Sequence, residues 1–334
     1  MKNLVNFIVS ALVIVGFTSC KKEEYVKSKE CDILEFRDRT IVDNTTVEWT
    51  INGLEITSVY PIDWPMMKFR PDIVTSFLAT VSPNYSEQDF SNGKTVTYTV
   101  TAEDGITTKV YTAKATQMSS GTFGSVSWNI KDSTLTISGT GAMPDGRPLS
   151  RYQGHVTALF IENGITYISG FEDFNKLRTV IIPKSVENTS HQVFRFCAAL
   201  TSIHVDVNNT KYSSENGVLF NKEKTVLIQY PRGKTDTKYS IPESVTSISQ
   251  HAFYYFRNLT SITIPKSITS FYGATFVECL ALTEIINHAT TPQTGTYIFE
   301  GMDLSSCTLR VPAGSVNSYR SAPVWKDFGN IVAI

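Results

Sequence analysis

The sequence predicts a mainly β protein: an antiparallel β-sandwich followed by a repeat solenoid of short parallel strands with short helical or irregular connections. Three observations point there. Residues 31–116 alternate apolar and polar side chains over short runs broken by Pro, Asn and Gly. Beyond them an aromatic recurs with a fixed step, Phe171 to Phe194 and Phe253 to Phe276, each 23 residues. The composition is rich in Thr, Ser, Val, Ile, Tyr and Phe, and long charged helical stripes are missing. With 334 residues, 41% of them apolar and 18% charged, the chain can bury a substantial core. Lys plus Arg number 30 against 31 Asp plus Glu, so no strong field points to nucleic acid as a partner.

At the N-terminus, Lys2 and Asn3 precede an apolar run from Leu4 to Phe17, then Thr18, Ser19 and Cys20. A short basic start, an apolar stretch of this length and small residues before a cleavage point describe a signal peptide over residues 1–19. The run is too short for a comfortable membrane span. Ending on a cysteine, it resembles a bacterial lipoprotein signal. The resemblance implies cleavage before Cys20 and acylation of that residue with a fatty acid such as palmitate. Phe17 stands where such signals usually carry Leu or Val. Residues 20–30 form a charged tether, opened by Lys21, Lys22, Glu23 and Glu24. That run is similar to a short signal sending lipoproteins of Gram-negative gut anaerobes to the outer leaflet; a merely polar linker fits it equally.

In the sandwich region, Val47, Trp49 and Ile51 share one face, as do Val96, Tyr98 and Val100. Asp104-Gly105 and the following "TTKVYTAKA" read as a hairpin turn and its returning strand. Pro61, Pro65 and Pro71 exclude central strands between these runs. The closing hairpin "VTYTVTAEDGITTKVYTAKA" resembles the Ig-like modules of many surface lipoproteins. Residues 117–124, "QMSSGTFG", are small and polar and read as a boundary.

The repeat has its own grammar. Leu177-x-x-Val180-x-Ile182-Pro183 recurs as Leu259-x-x-Ile262-x-Ile264-Pro265, with partial copies at Leu200, Ile203 and Val205 and at Leu282 and Ile285. The I-x-I stretch has period two, so both apolar side chains enter one face of a short strand. Strands stacked in parallel bury a continuous column that no single turn buries alone. The proline ends each strand because it has no N–H for the ladder. Three residues past the second isoleucine come Ser185, Asn208 and Ser267, placed to hydrogen-bond the turn backbone.

A period in the twenties with this spacing is the leucine-rich-repeat signature. The words "IPKSV", "IPESVTSI", "HAFYYFRNLTSITIPKSI" and "YSSENGVLFNKEKTVLIQYPRG" together resemble the BspA-like leucine-rich repeats of bacterial surface proteins. So do the opening "VSWNIKDSTLTISGTGAMPDG" and the closing "LRVPAGSVNSYRSAPVWKDFGNI", a resemblance that spans residues 121–334. The 59 residues from Phe194 to Phe253 interrupt the step. Val218 to Phe220 and Val226 to Ile228 read as a hairpin there, either shaping a binding surface or continuing the stack as a degenerate repeat.

Candidate chemistry is sparse. Cys197 and Cys279 occupy one slot of the repeat, where sister turns carry Phe174 and Phe256. Three to four stacked turns separate the two by about 14 Å or more, too far for a disulfide or a shared metal. The slot therefore asks for a small buried apolar body. Pairing of Cys31 and Cys307 is left open by the spacing. His155, His191, His204, His251 and His288 show no metal-ligand spacing. "SGTGAMPDG" has Gly139 and Gly141 without the Lys-Ser/Thr of a phosphate loop, and reads as a hairpin or cap turn. Neither a nucleophile elbow nor a marked pair of carboxylates stands out.

The expectation is therefore a non-catalytic protein without cofactor or metal. It is expected at the outer membrane, lipid-anchored at Cys20 and exposed at the cell surface. The BspA-like resemblance implies adhesion, with a host or bacterial surface protein as partner. The alternative is a glycan-binding accessory protein of an outer-membrane nutrient-uptake system, suggested by anchor, spacer and abundant tyrosine. Tyr254, Tyr255 and Tyr272 are the candidate binding residues, since they lie in connecting segments away from the I-x-I core.

Overall fold

The computed structural model describes residues 25–37, 48–61, 68–84, 86–190 and 192–334. The signal peptide, Cys20, Val47, Pro65 and His191 lie outside the described residues. The chain forms two compact units, the second taking in Ala115–Ile334 with the short pieces Ser58–Lys68 and Phe90–Lys94.

The N-terminal strands follow the alternation of the sequence. They are β1 (Ile33–Arg37), β2 (Trp49–Asn52), β3 (Glu55–Pro61), β4 (Lys68–Phe69), β5 (Asp72–Thr75), β6 (Thr80–Ser82), β7 (Gln88–Asp89), β8 (Thr95–Thr101) and β9 (Thr108–Met118). One sheet runs β2-β3-β9-β8-β6, and β1 pairs with β5 in a small antiparallel sheet. Phe36 of β1 sets its ring 4.8 Å from Trp49 and 5.4 Å from Tyr98, both on strands of the larger sheet. The aromatic packing closes a small sandwich core. The expected hairpin joins β8 to β9 antiparallel, and Asp104 caps its turn by accepting the Ile106 and Thr107 amides.

The expected boundary at residues 117–124 is not a loop. It holds the end of β9 and a further strand, β10 (Ser120–Phe123), which pairs antiparallel with β11 (Val126–Lys131). Its small residues serve packing: a Cβ on Gly121 would stand 2.8 Å from the Trp128 ring. β11 returns antiparallel as β12 (Thr134–Gly139) and caps the open end of the solenoid. "SGTGAMPDG" is the expected turn, with Gly139 and Gly141 at positive φ between β12 and β13 (Gly141–Ala142).

The parallel stack begins at β12. It continues through β14 (Ala158–Ile161), then β16 (Thr179–Ile182) and β18 (Ser202–Val205). A second narrow ladder runs from β13 through β15 (Ile165–Ile168) to β17 (Asn188–Thr189). Between the two halves stand β19 (Tyr212–Glu215), β20 (Val218–Asn221), β21 (Val226–Gln229) and β23 (Ser247–Ile248), while β22 (Lys238–Ser240) opens the far half. The far half stacks β22, β24 (Ser261–Ile264), β25 (Glu284–Asn287), β26 (Thr308–Val311) and β27 (Asn330–Ala333) in parallel. Before β27 the short helix α1 (Val316–Ser321) and fully buried Trp325 close that end, the indole donating to Gln293 O at 2.8 Å.

The predicted core positions Leu177, Val180, Ile182, Leu200, Ile203, Leu259, Ile262, Ile264, Leu282 and Ile285 are buried, and Val205 is half-buried against the same core. The recurring aromatics stack along the axis, with Phe253 5.1 Å from Phe276 and Phe276 5.7 Å from Phe299. The 59-residue interruption resolves into two parts. Tyr230, 23 residues before Phe253, fills the aromatic slot and stacks on Phe253 at 5.1 Å. Phe194 to Tyr230 is thus one enlarged repeat, carrying the β20–β21 hairpin and a second antiparallel pairing of β19 with β20 that the sequence reading missed. β20 also partitions the core. Leu219 packs into the N-terminal cluster, whereas its neighbours Val218 and Phe220 pack into the C-terminal one. The period-two alternation of a strand lets one element serve two cores.

One sequence assignment shifts by a residue. Ser185 and Ser267 bond the preceding turn as expected, donating to Ile165 O at 2.8 Å and Val245 O at 2.6 Å. Asn208, however, is exposed and among the described residues bonds only Asp206, while the ladder position belongs to fully buried Asn209. The third repeat leaves its strand through Asp206 rather than Pro, and the turn gains one residue.

Candidate functional site

Two exposed surfaces of the repeat unit carry features that could hold a ligand. The first is the outward face of its N-terminal parallel sheet. In each strand the residue between the two buried side chains must point away from the core. In register these are Phe160, Ile181 and His204. Phe160 is 39% exposed and Ile181 41% exposed, next to an exposed His204. They line an open depression of 680 Å³, bordered by Glu162, Asn163 and Asp206. The corresponding column in the C-terminal sheet reads Thr263, Ile286, Arg310 and Val332. There Glu284 accepts from Arg310 at 2.7 Å and from Ser261 at 2.9 Å. The Arg310 guanidinium, and then the Ser261 hydroxyl, hold the Glu284 carboxyl below its ordinary value.

The second surface is the ridge of connecting segments. Here the structure brings together two of the three predicted tyrosines. Tyr254 and Tyr255 are half-buried, their ring centroids 4.6 Å apart. Phe196 joins them from the enlarged repeat, at 5.4 Å from Tyr254 and 6.1 Å from Tyr255. Arg195 lies over the Phe196 ring at 4.4 Å and Arg232 over the Tyr255 ring at 5.4 Å. Arg232 also donates to Tyr255 O at 3.1 Å. Tyr272 is 62% exposed and stands apart from this cluster, with no ring contact among the described residues.

Phe196, Arg195 and Arg232 are the participants that sequence reasoning missed. The signal was Tyr230 as an aromatic-slot residue: aligning on it sets Phe196, Arg232 and Tyr255 in one column, each two residues past its slot. Phe196 and Tyr255 hold positive φ of 62° and 57°, the tight turn that turns their side chains outward. Phe160, Ile181 and His204 were legible as the middle residues of the I-x-I pattern.

The remaining candidates are structural. Cys197 and Cys279 are buried, each donating to the carbonyl of the aromatic 26 residues earlier, Phe171 at 3.1 Å and Phe253 at 3.0 Å. Burial pushes both thiols up to about 12. Cys31 and Cys307 are also buried, and all four described cysteines are free. Among the described residues no cluster of three His, Cys, Asp or Glu is placed to hold a metal. No described helix is long and apolar enough to cross a membrane.

Residues 152–231 and 232–320 match the family described as BspA type leucine rich repeat region, in six copies. Residues 34–115 match the family described as SGBP, N-terminal. No curated protein matches the sequence. Similar solved structures include a leucine-rich repeat protein from Eubacterium ventriosum, at 21% identity and TM-score 0.35, covering 64% of this chain and 83% of that one. The pneumococcal vaccine antigen PcpA is similar at 13% identity and TM-score 0.35, covering 65% and 85% of the two chains. A leucine rich cell surface protein from Faecalibacterium prausnitzii is similar at 17% identity and TM-score 0.33, covering 64% and 94%.

Proposed function

The chain belongs to the BspA type leucine rich repeat family, and on that premise we propose that it is a non-catalytic binding protein displayed at the cell surface. In this reading the lipid on Cys20 holds it at the outer membrane, and the repeat unit binds a host or bacterial surface protein. The observation that carries the reading is the in-register column Phe160, Ile181 and His204. Two large apolar side chains held outward on a rigid sheet, rimmed by Glu162 and Asp206, suit the apolar centre and polar rim of a protein interface.

Surface plasmon resonance of the full chain against a panel of extracellular-matrix proteins tests this. Saturable binding to one of them should weaken at least about tenfold in Ile181→Asp, whose side chain already faces solvent and whose melting temperature should stay near wild type. Absence of binding across the panel, or binding indifferent to Ile181→Asp and Phe160→Asp, overturns the reading.

A second reading is glycan binding in an accessory role to nutrient uptake. Its support is the ring cluster of Phe196, Tyr254 and Tyr255, which offers stacking faces at the surface, beside the match to the SGBP N-terminal family.

A further inference from the structure

The enlarged repeat leaves a seam in the solenoid. The narrow ladder of β13, β15 and β17 stops at Thr189, and its counterpart β23 pairs with β21 instead. Between them opens a cleft of 240 Å³, lined among others by Ser190, Gln192, Gln229, Ser249 and Gln250. Hydroxyl and carboxamide groups share this lining with the apolar side chains of Val193, Phe194, Leu219 and Ile228. One repeat earlier, Ser169 donates its hydroxyl to Pro144 O at 2.6 Å. Ser190 has no such neighbour among the described residues, where its Oγ is buried and without a hydrogen-bond partner. A buried polar atom left open costs stability unless something binds there.

Gln192 ties this cleft to the aromatic ridge. Its Nε2 lies 2.6 Å from His251 Nδ1, and its Oε1 accepts from Arg195 at 2.9 Å. Arg195 and Arg232 then lie over the rings of Phe196 and Tyr255. Among the described residues neither arginine forms an ion pair with a carboxylate, nor does the exposed Arg257. Burial, and then the charge of Arg257, both work against the Arg232 cation. Of the acids on the same ridge, Asp173 pairs with Arg147 at 2.7 Å, and the Glu278 carboxylate stays within electrostatic reach of Tyr254. Two arginines without a carboxylate ion pair among the described residues thus sit beside stacking rings and a cleft edged by amides.

We propose that this seam binds an anionic saccharide: sugar faces stack on Phe196 and the Tyr254–Tyr255 pair, ring hydroxyls meet Ser190 and the glutamines, and a carboxylate or sulfate meets the arginines. The inference deepens the glycan reading above. Each part has its physical reason. Planar rings complement the C–H face of a pyranose. Carboxamides offer donor and acceptor together, as vicinal hydroxyls require. Guanidinium forks match the oxygens of a carboxylate or sulfate. An acidic peptide would use the arginines but would leave the hydroxyl-and-amide cleft unsatisfied.

Calorimetric titration of the full chain with four probes tests this: an oligogalacturonate, a chondroitin sulfate oligosaccharide, a neutral gluco-oligosaccharide of equal length, and poly-glutamate. One or both acidic saccharides should bind saturably, and which one does identifies the anion. The neutral oligosaccharide and poly-glutamate should bind about tenfold or more weakly than that. Phe196→Ala and Arg195→Gln should each weaken the acidic saccharide about tenfold. Arg257→Gln, at an exposed residue without side-chain hydrogen bonds among the described residues, should weaken it severalfold with unchanged melting, while distant Lys326→Gln leaves it alone. Equal binding of the neutral saccharide, lost on Tyr254→Ala, would keep the glycan reading and overturn the anionic one. No saccharide binding overturns both. Equal binding of poly-glutamate, or an Arg257→Gln variant as tight as wild type, overturns the proposal.

Discussion

The side chain of Asn209 reaches back 26 residues to the carbonyl of Pro183, at 2.8 Å. It donates also to Val186 O at 3.0 Å and accepts from the amides of Lys211 and Tyr212. One buried carboxamide thus fastens two successive turns of the solenoid. Truncation would leave buried carbonyls and amides open, so Asn209→Ala should cost about 3 kcal/mol. Asn208→Ala, at the exposed neighbour, should stay within about 0.5 kcal/mol. Chemical denaturation of the two variants separates the positions, and equal losses would refute the assignment.

The thiols give a second test. Cys31, Cys197, Cys279 and Cys307 are buried and free, and burial holds the last three up to about 12. A thiol reacts as its thiolate, so native protein at pH 8 should resist a thiol-labelling reagent at all four. Denaturant should expose all four together. Mass spectrometry counts the labels, and rapid labelling of Cys197 or Cys279 in the folded protein would contradict the packing.

Acid should loosen the C-terminal sheet through one carboxylate. Glu284 is held below its ordinary 4.5 by Arg310, then by Ser261. Its contribution is fully present above that ordinary value and fades as pH falls through the depressed folded one. Arg310→Gln should therefore melt lower than wild type at pH 7, by under about 1 kcal/mol for a pair this exposed. The gap should narrow as the pH is lowered from 7 through the depressed folded value, where wild type also loses the charge. A gap unchanged over that range would rule out this pair as its source.

Attachment is tested at Cys20. Cells expressing the full chain should incorporate radiolabelled palmitate, and Cys20→Ala should remove the label. Unlabelled wild type, or undiminished label in the variant, removes the anchor.

Much of this molecule was legible residue by residue. The I-x-I strands, the aromatic step and the burial of Cys197 and Cys279 follow from local period, because strand alternation is a property of the backbone itself. The sandwich hairpin was legible for the same reason. The binding candidates were less so. Tyr254 and Tyr255 were found as a pair, but Tyr272, picked by the same rule, stands apart from them.

The sequence by itself determined the repeat, its core positions and which side chains each strand must turn to solvent. Only the tertiary structure decided which turns meet. The side-chain period is local, but the path of an enlarged repeat depends on where its hairpin can bury both faces. β20 does so by feeding two cores at once, Leu219 on one side and Val218 and Phe220 on the other. That packing carries Phe196 across to Tyr254, 58 positions away in sequence, and opens the polar seam beside them.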